Sequence, residues 1–209
     1  MTRASRIPLP ALERLSTYVR SLMELKSAGK QTVSSREMEE LTGVTAAQFR
    51  KDLSYFGEFG RRGVGYNVCD LQSRIAALLR IEAEQPVLMV GAGNLGSALI
   101  AYPGWNAYRF RIAAVFDNDP QKIGGEVRGL HVYDAGRIVE LNAEIGSQIG
   151  LLAVPAPAAQ GVAGALVEAG VTGLVNFAPV KLDTPPGVRV RQISFLRELA
   201  VLSYLIHRD

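Results

Sequence analysis

The sequence predicts an α/β protein in which a helical N-terminal unit precedes a doubly wound parallel sheet. Near the start, two short helical patterns flank a three-residue turn, a spacing typical of a helix-turn-helix. From Pro86 onward, apolar strand-like runs alternate with helical segments. The first of these runs ends in a glycine-rich turn, Gly91-Ala92-Gly93-Asn94-Leu95-Gly96. Alternation of this kind is typical of a parallel sheet covered by helices on both faces.

Length and composition fit a globular protein. The 209 residues are 48% hydrophobic and 21% charged, a balance that allows a buried core. No apolar run reaches the ~18–20 residues of a membrane span, and the start shows no apolar signal core. One cysteine and two histidines exclude an internal disulfide and a Cys/His zinc cluster. We therefore expect a cytoplasmic protein without membrane or metal partners.

Two amphipathic helices open the N-terminal unit. Apolar side chains recur at spacings of three and four over residues 9–25, which predicts the first helix. Ser34 or Ser35 caps a second, short helix that runs through Leu41. Glu37 stands three residues after Ser34, where it completes a capping box.

A helix-turn-helix spacing follows. A three-residue turn with a central glycine separates the second helix from a third, which Thr45 caps and which runs to about Phe56. The glycine-rich residues 60–66 suit a β-hairpin tip, and a linking helix is expected over residues 70–83. We therefore predict a winged-helix DNA-binding domain over residues 1–84, which also carries the whole net charge of +3.

The third helix and the hairpin tip supply the candidate contacts to double-stranded DNA. In a helix-turn-helix, the second helix enters the major groove with its N-terminal residues facing base edges. Paired arginines on a glycine-flanked tip suit the narrow minor groove, whose negative potential attracts them. The predicted contacts are Thr45, Gln48, Arg50, Lys51, Ser54, Tyr55, Arg61 and Arg62.

The second part of the chain, residues 85–193, is predicted to form a Rossmann-type domain. Residues 87–90 form a continuous apolar run, as in a strand buried on both faces. Further strands are expected at residues 112–116, 149–154, 174–177 and 188–193, with helices at 97–102, 135–142 and 156–169.

The glycine turn has the G-x-G-x-x-G spacing of a dinucleotide-binding site. Gly91 permits the tight turn, Gly93 lets the backbone approach a pyrophosphate, and Gly96 lets helix and strand pack closely. The carboxyl ends of later strands usually border the cofactor as well. The predicted contacts are Gly91, Ala92, Gly93, Asn94, Leu95, Gly96, Asp117, Val154, Pro155, Asn176 and Ala178.

Asp117 lies 21 residues after Gly96, at the end of the second strand. A carboxylate there accepts hydrogen bonds from the adenosine ribose and repels a 2′-phosphate, which favours NADH and NAD⁺ over their phosphorylated forms. Arg109, Arg111 and Lys122 lie nearby in sequence and leave that preference open.

No residue fills the role of a catalytic acid or base beside the cofactor. His207 lies at the C-terminus, His131 is expected in a loop, and Cys69 is interpreted as a small core residue. We therefore predict cofactor binding without catalysis, that is, a sensor and not an enzyme. Two alternatives are a small NAD-dependent oxidoreductase and a module that binds CoA or another nucleotide.

The last segment, residues 194–209, contains a helix that is apolar on almost every side. Such a helix is buried on more than one face. It either packs on its own sheet or crosses into a second subunit, and we favour the second interpretation because one sheet covers only one stripe of a helix.

The sequence closely resembles the Rex family of bacterial redox-sensing transcriptional repressors. The resemblance covers essentially the whole chain and is most specific at residues 49–60 and 62–66, FRKDLSYFGEFG and RGVGY. It continues through the glycine turn and through the motifs at residues 102–104, 116–120, 154–155 and 176–179.

The resemblance implies a homodimer with an N-terminal winged helix, a Rossmann core and a swapped C-terminal helix. Members of the family bind a palindromic operator when NADH is scarce and release it when NADH binds. It also implies that Tyr102 and Phe195 lie near the nicotinamide, with Phe195 supplied by the second subunit. In the family an aspartate often precedes the residue that matches Phe195 and pairs with the match to Arg20, but here that position is Ser194.

Overall fold

The computed structural model describes residues 7–57, 60 and 64–208. The chain divides into two compact units between Ala83 and Glu84. None of the helices in these described ranges combines the length and the apolar character that a membrane span requires.

Helices and a small two-stranded sheet make up the described part of the first unit. Ser34, not Ser35, caps the second helix, because its Oγ accepts from the Glu37 N–H while Glu37 accepts from the Ser34 N–H. The Thr45 hydroxyl accepts from the Gln48 N–H at 3.2 Å and caps the third helix. The elements are α1 (Leu9–Ser27), β1 (Thr32–Val33), α2 (Ser35–Thr42), α3 (Ala46–Ser54), β2 (Tyr66–Asn67) and α4 (Val68–Leu79), with β1 and β2 antiparallel.

Aromatic rings fix α3 in the first unit. The Phe49 ring is fully buried and meets the Tyr18 ring of α1 edge to face, with centroids 4.9 Å apart. The same ring also meets the Tyr66 ring of β2, with centroids 5.4 Å apart and again edge to face. Edge-to-face pairs add to the stability that burial provides, so α3 is held between a helix and a strand.

The second unit is a seven-stranded sheet in the order β5-β6-β4-β3-β7-β8-β9. All neighbouring strands are parallel except β5 and β6, and apolar clusters lie on both faces. This confirms the α/β fold with a winged-helix unit ahead of a mainly parallel sheet. The elements are β3 (Gln85–Val90), α5 (Asn94–Ile100), β4 (Phe110–Asp117), β5 (Glu126–Val127), β6 (Leu130–Asp134), α6 (Ile138–Ile145), β7 (Ile149–Leu152), α7 (Ala156–Glu168), β8 (Gly173–Asn176), β9 (Arg189–Gln192) and α8 (Phe195–Ile206).

Several boundaries differ from the sequence-based expectation. The linking helix α4 begins two residues early and ends at Leu79, because Arg80 adopts a left-handed conformation with φ +57°. Helix α3 ends at Ser54, two residues before the expected end near Phe56. A 3₁₀ turn at residues 135–137 precedes α6, so the helix proper starts later than predicted.

Two residue assignments were wrong. His131 lies in strand β6 and not in a loop, because the backbone of residues 130–134 pairs with β4 and β5. Cys69 is exposed and not part of the core, since the buried face of α4 is formed by Val68, Leu71 and Ile75.

Candidate nucleotide cavity and nucleic-acid interface

The glycine turn joins β3 to α5, and its three glycines have different surroundings. Gly91 has φ +101°, and a Cβ there would lie 2.4 Å from the carbonyl oxygen of Ala153. A Cβ on Gly96 would lie 1.8 Å from the carbonyl oxygen of Gly91. By contrast, no atom of the described residues lies within 4 Å of a Cβ built on Gly93. Packing therefore demands two of the glycines, and the third faces open space.

A cavity of about 480 Å³ opens beside this turn, at the carboxyl ends of β3, β4 and β7. This is the edge of a parallel sheet at which nucleotides bind in doubly wound folds. Its walls combine backbone of the turn, a polar segment after β4 and small apolar side chains of α7. The lining residues are Val90, Gly91, Gly93, Asn94, Leu95, Asp117, Asn118, Asp119, Lys122, Ala135, Ala153, Val154, Pro155, Ala158 and Val162.

The carboxylate of Asp117 is buried behind the turn. Its Oδ2 accepts from the backbone N–H of Ala92 at 2.8 Å and from Lys122 Nζ at 3.1 Å. Its Oδ1 accepts from the backbone N–H of Asp119 at 2.9 Å. Only 7% of the side chain is exposed, so both oxygens are already bonded to the protein. Asp117 thus ties the end of β4 to the glycine turn.

Burial and hydrogen bonding act in opposite directions on Asp117. Burial by itself would raise the pKa of its carboxyl group. The bonds from the Asp119 and Ala92 amides and from Lys122 outweigh burial, so the pKa lies below its ordinary value. The hydrogen bond to Asp117 correspondingly raises the pKa of Lys122. Both groups are charged at neutral pH.

The segment after β4 carries lining residues that the sequence reasoning did not select as contacts. Asn118, Asp119 and Lys122 all line the cavity, and 39% of the Asp119 side chain is exposed. The Asp119 Oδ1 accepts from the Gln121 N–H, and its Oδ2 lies 3.5 Å from Lys122 Nζ. The sequence signal was the polar run that immediately follows the second predicted strand.

Asn176 and Ala178 lie apart from the cavity lining. The fully buried Asn176 amide donates to the Val180 carbonyl and to Gln192, and its oxygen accepts from the Ala178 N–H. Gln192 in turn donates to the Ala178 carbonyl. These bonds brace the segment after β8, and the two residues remain predicted cofactor contacts only.

Four other predicted contacts also lie outside the lining. Ala92 and Gly96 are buried within the turn itself. Tyr102 is 61% exposed, and its ring folds over Gly104 and meets the Trp105 ring edge to face at 6.3 Å. Phe195 is 67% exposed at the first position of α8.

Helix α3 presents one face to the core and the other to solvent. Phe49, Asp52 and Leu53 are buried, whereas the predicted DNA contacts Thr45, Arg50, Lys51 and Ser54 are exposed and Gln48 and Tyr55 are half-buried. The Arg50 guanidinium donates to the Ser35 hydroxyl at 2.8 Å. Arg61 and Arg62 lie outside the described residues.

A buried ionic network holds the core side of α3, and sequence reasoning missed it. Asp52 has no exposed surface and accepts from Arg14 through two bonds of 2.6 and 2.7 Å. Tyr18 and Gln48 each donate to the same carboxylate, at 2.8 and 2.7 Å. The Gln48 amide, a predicted DNA contact, is thus also a structural donor.

The network shifts the titration of its members. Burial would raise the pKa of the Asp52 carboxyl, but hydrogen bonds from Arg14, Tyr18 and Gln48 hold it below its ordinary value. The Asp52 hydrogen bond raises the pKa of Arg14, and burial followed by the Asp52 bond raises that of Tyr18. The described residues contain no group of three or more His, Cys, Asp or Glu side chains placed to hold a metal ion.

Helix α8 buries none of its side chains within the described part of the chain. Its large apolar side chains are between 52% and 76% exposed. They stand together on one helix, whereas exposed apolar residues on an ordinary protein surface are scattered singly. Ser194 caps the helix, since its hydroxyl accepts from the Arg197 N–H at 3.3 Å.

Family models match both units. One described as a putative DNA-binding protein N-terminus matches residues 6–54, and one described as a CoA binding domain matches residues 82–180. The redox-sensing transcriptional repressor Rex of Desulfitobacterium hafniense is 46% identical over 95% of both chains. That of Carboxydothermus hydrogenoformans is 47% identical over 98% of both.

Two solved structures of a Rex-family repressor, RSP, are also similar. The complex of RSP with β-NAD⁺ and operator DNA superimposes with a TM-score of 0.89 at 34% identity, over 97% of this chain and 93% of that one. The complex with β-NADH gives 0.85 at 32% identity, over 97% and 95%.

Proposed function

The chain belongs to the Rex family of redox-sensing transcriptional repressors, and we propose that it binds palindromic operator DNA as a homodimer and leaves it when NADH binds. Transcription then responds to the NADH/NAD⁺ ratio. The relatives are repressors and not enzymes, so the bound cofactor is a signal that the protein does not consume. This function assigns the protein to the cytoplasm, where operator DNA and the nicotinamide pool meet.

The surroundings of Gly93 support cofactor binding most directly. Its φ of −78° is available to any residue, and no described side chain or backbone occupies the space beside it. The fold itself does not require a glycine here, and the residue lies at the wall of a cavity of about 480 Å³. A ligand phosphate that must approach the protein backbone closely explains why the residue is a glycine.

We divide the chain by role. Residues 1–84 bind DNA, residues 85–193 bind NADH or NAD⁺, and residues 194–209 form the dimerisation helix. The exposed apolar side chains of α8 support its role in dimerisation, because an apolar surface of this kind marks a protein–protein interface. Tyr102 and Phe195 are proposed nicotinamide contacts. An apolar, aromatic surrounding favours the neutral reduced ring over the cationic oxidised one.

The DNA role is supported by the exposed face of α3. Two dimer-related helices of this kind bind half-sites one helical turn, ~34–36 Å, apart. NADH acts by favouring a dimer in which this spacing is lost, and the coupling is reciprocal, so DNA also lowers NADH affinity. A tenfold loss of DNA affinity requires only about 1.4 kcal/mol of coupling.

The test is a fluorescence-anisotropy titration of labelled palindromic DNA at a series of NADH/NAD⁺ ratios. We expect DNA affinity to fall at least about tenfold at saturating NADH and to fall with added salt. Arg50→Ala is expected to weaken DNA binding while NADH binding persists. An affinity for DNA that saturating NADH leaves unchanged would overturn the proposal.

The CoA binding domain description of the second family model makes CoA the rival ligand for the same turn. Titrating CoA, NADPH and NAD⁺ separately against bound NADH distinguishes the two functions. Displacement of bound NADH by CoA at lower concentration than by NAD⁺ or NADPH would favour the CoA module.

A further inference from the structure

We propose that Asp119, and not Asp117, is the residue that selects NADH over NADPH in this chain, while Asp117 acts as a positioning residue for the glycine turn. The inference rests on the proposed function, because it concerns the adenosine end of the same cavity. It replaces the expectation that the acid at the end of the second strand contacts the ribose directly.

The bonding of Asp117 argues against a direct ribose contact. Its oxygens accept three hydrogen bonds from Ala92, Asp119 and Lys122, and only 7% of its side chain is exposed. A ribose hydroxyl would have to compete with a backbone amide or an ammonium group for these oxygens. Loss of the Ala92 bond would in turn loosen the turn that Asp117 holds against β4.

Asp119 has the exposure and the position that Asp117 lacks. It lines the cavity, and among the described residues its Oδ2 has no backbone amide as a partner and faces Lys122 Nζ at 3.5 Å. A carboxylate at this wall accepts from ribose hydroxyls and repels a 2′-phosphate. Asn118 lines the same wall but is neutral, so it exerts no such repulsion.

Lys122 strengthens the assignment. An ammonium beside the ribose would ordinarily attract a 2′-phosphate and favour NADPH. Here it lies 3.1 Å from Asp117 and 3.5 Å from Asp119, so two carboxylates offset its single charge. Neutralising Asp119 removes a repulsive charge and at the same time leaves more of the Lys122 charge available to a phosphate.

The deciding variant is Asp119→Asn. Asparagine keeps an oxygen that accepts from the Gln121 N–H, so the local turn persists while the charge is lost. We expect the ratio of NADPH to NADH affinity to rise about tenfold, mainly through tighter NADPH binding. Adding Lys122→Ala to this variant is expected to reverse most of the gain.

Asp117→Asn and Asp183→Asn are the comparisons. Asparagine at 117 offers one acceptor oxygen where the carboxylate offers two, so we expect both nucleotides to bind more weakly. Loss of the Asp117 charge also frees part of the Lys122 charge, but the exposed repulsive charge of Asp119 remains, so the ratio is expected to rise clearly less than in Asp119→Asn. Asp183 is exposed and lies outside the cavity, and its variant is expected to behave as wild type.

The measurement is a titration of each full-length protein with NADH and with NADPH, followed by the fluorescence of the reduced nicotinamide. The inference is overturned, while cofactor binding stands, if Asp119→Asn leaves the ratio within about twofold of wild type or if Asp117→Asn raises it as much as Asp119→Asn does. Absence of NADH binding by the wild-type protein would overturn the proposed function itself, and this inference with it.

Discussion

The three glycines of the turn are needed for different physical reasons. The carbonyl oxygens of Ala153 and Gly91 occupy the places where side chains on Gly91 and Gly96 would begin, whereas Gly93 borders the cavity. Stability and ligand binding can therefore be separated within one short motif.

Gly93→Val is expected to abolish measurable NADH binding while lowering the free energy of unfolding by no more than about 1 kcal/mol, the scale of a helix-cap change. Gly96→Ala is the contrasting variant, with an expected loss of about 1–3 kcal/mol from overpacking. Nucleotide fluorescence and urea unfolding measure the two effects. Wild-type NADH affinity in Gly93→Val would contradict the assignment of the cavity.

Residue identities were more predictable than residue bonding. The G-x-G-x-x-G spacing and the acid at residue 117 were readable because each occupies a fixed place after an apolar strand. That the Asp117 carboxylate faces the Ala92 amide depends on how β4 and the turn meet in space. Asp52 carried no sequence signal, since an aspartate in an amphipathic helix is ordinarily exposed.

At the scale of elements, one carboxylate joins α1 to α3. Asp52 accepts from Arg14 and Tyr18 of the first helix and from Gln48 of its own helix. A buried charge that loses its compensation is costly, so this network helps to hold α3 against α1.

Asp52→Asn is expected to lower the free energy of unfolding of the first unit by about 3 kcal/mol at neutral pH. The exposed Asp70, which pairs with Arg74 on α4, gives the matched control Asp70→Asn with an expected change below about 1 kcal/mol. Urea unfolding followed by circular dichroism measures both. Equal losses in the two variants would show that the network contributes little.

The same network predicts a pH dependence. The folded pKa of Asp52 lies below the ordinary value of 3.8, so the unfolded chain takes up a proton first as the pH falls. The stability that the Asp52 charge contributes is thus fully present above 3.8 and is lost as the pH falls from there through the folded pKa. We expect the difference in free energy of unfolding between wild type and Asp52→Asn to narrow as the pH falls over that range. A difference that stays constant with pH would show that the Asp52 charge does not provide this stability.

Elements with strong local signals were predicted well, and short ones were not. Capping side chains placed the starts of α2 and α3, and continuous apolar runs placed β3, β4 and β7. Strands β5 and β6 were not predicted, because they are short and mix polar with apolar residues. Strand β6 pairs with β4 and β5 pairs with β6, so contacts with other strands decide their conformation, and such contacts leave no pattern within the strand itself.

At the scale of the whole molecule, α8 is expected to matter for assembly and not for the fold of one protomer. Its large apolar side chains are exposed within one chain, so we expect substitutions there to change association and not the fold of the protomer. Leu205→Lys is expected to weaken dimerisation about tenfold or more, the equivalent of one buried leucine, with an unchanged circular dichroism spectrum. Analytical ultracentrifugation measures the dissociation constant, with Glu198→Gln as the polar control on the same helix. A leucine variant that dimerises as tightly as wild type would contradict the role of α8.

Repression is also expected to depend on the concentration of the protein, because of the apolar helix α8. If a second copy covers it, as proposed, then the population able to span both half-sites follows the law of mass action and rises with the square of the free protomer concentration when protein is scarce. A cell that holds few copies would then lose repression at any nicotinamide ratio. The abundance of the regulator thereby sets the range over which it can report the redox state.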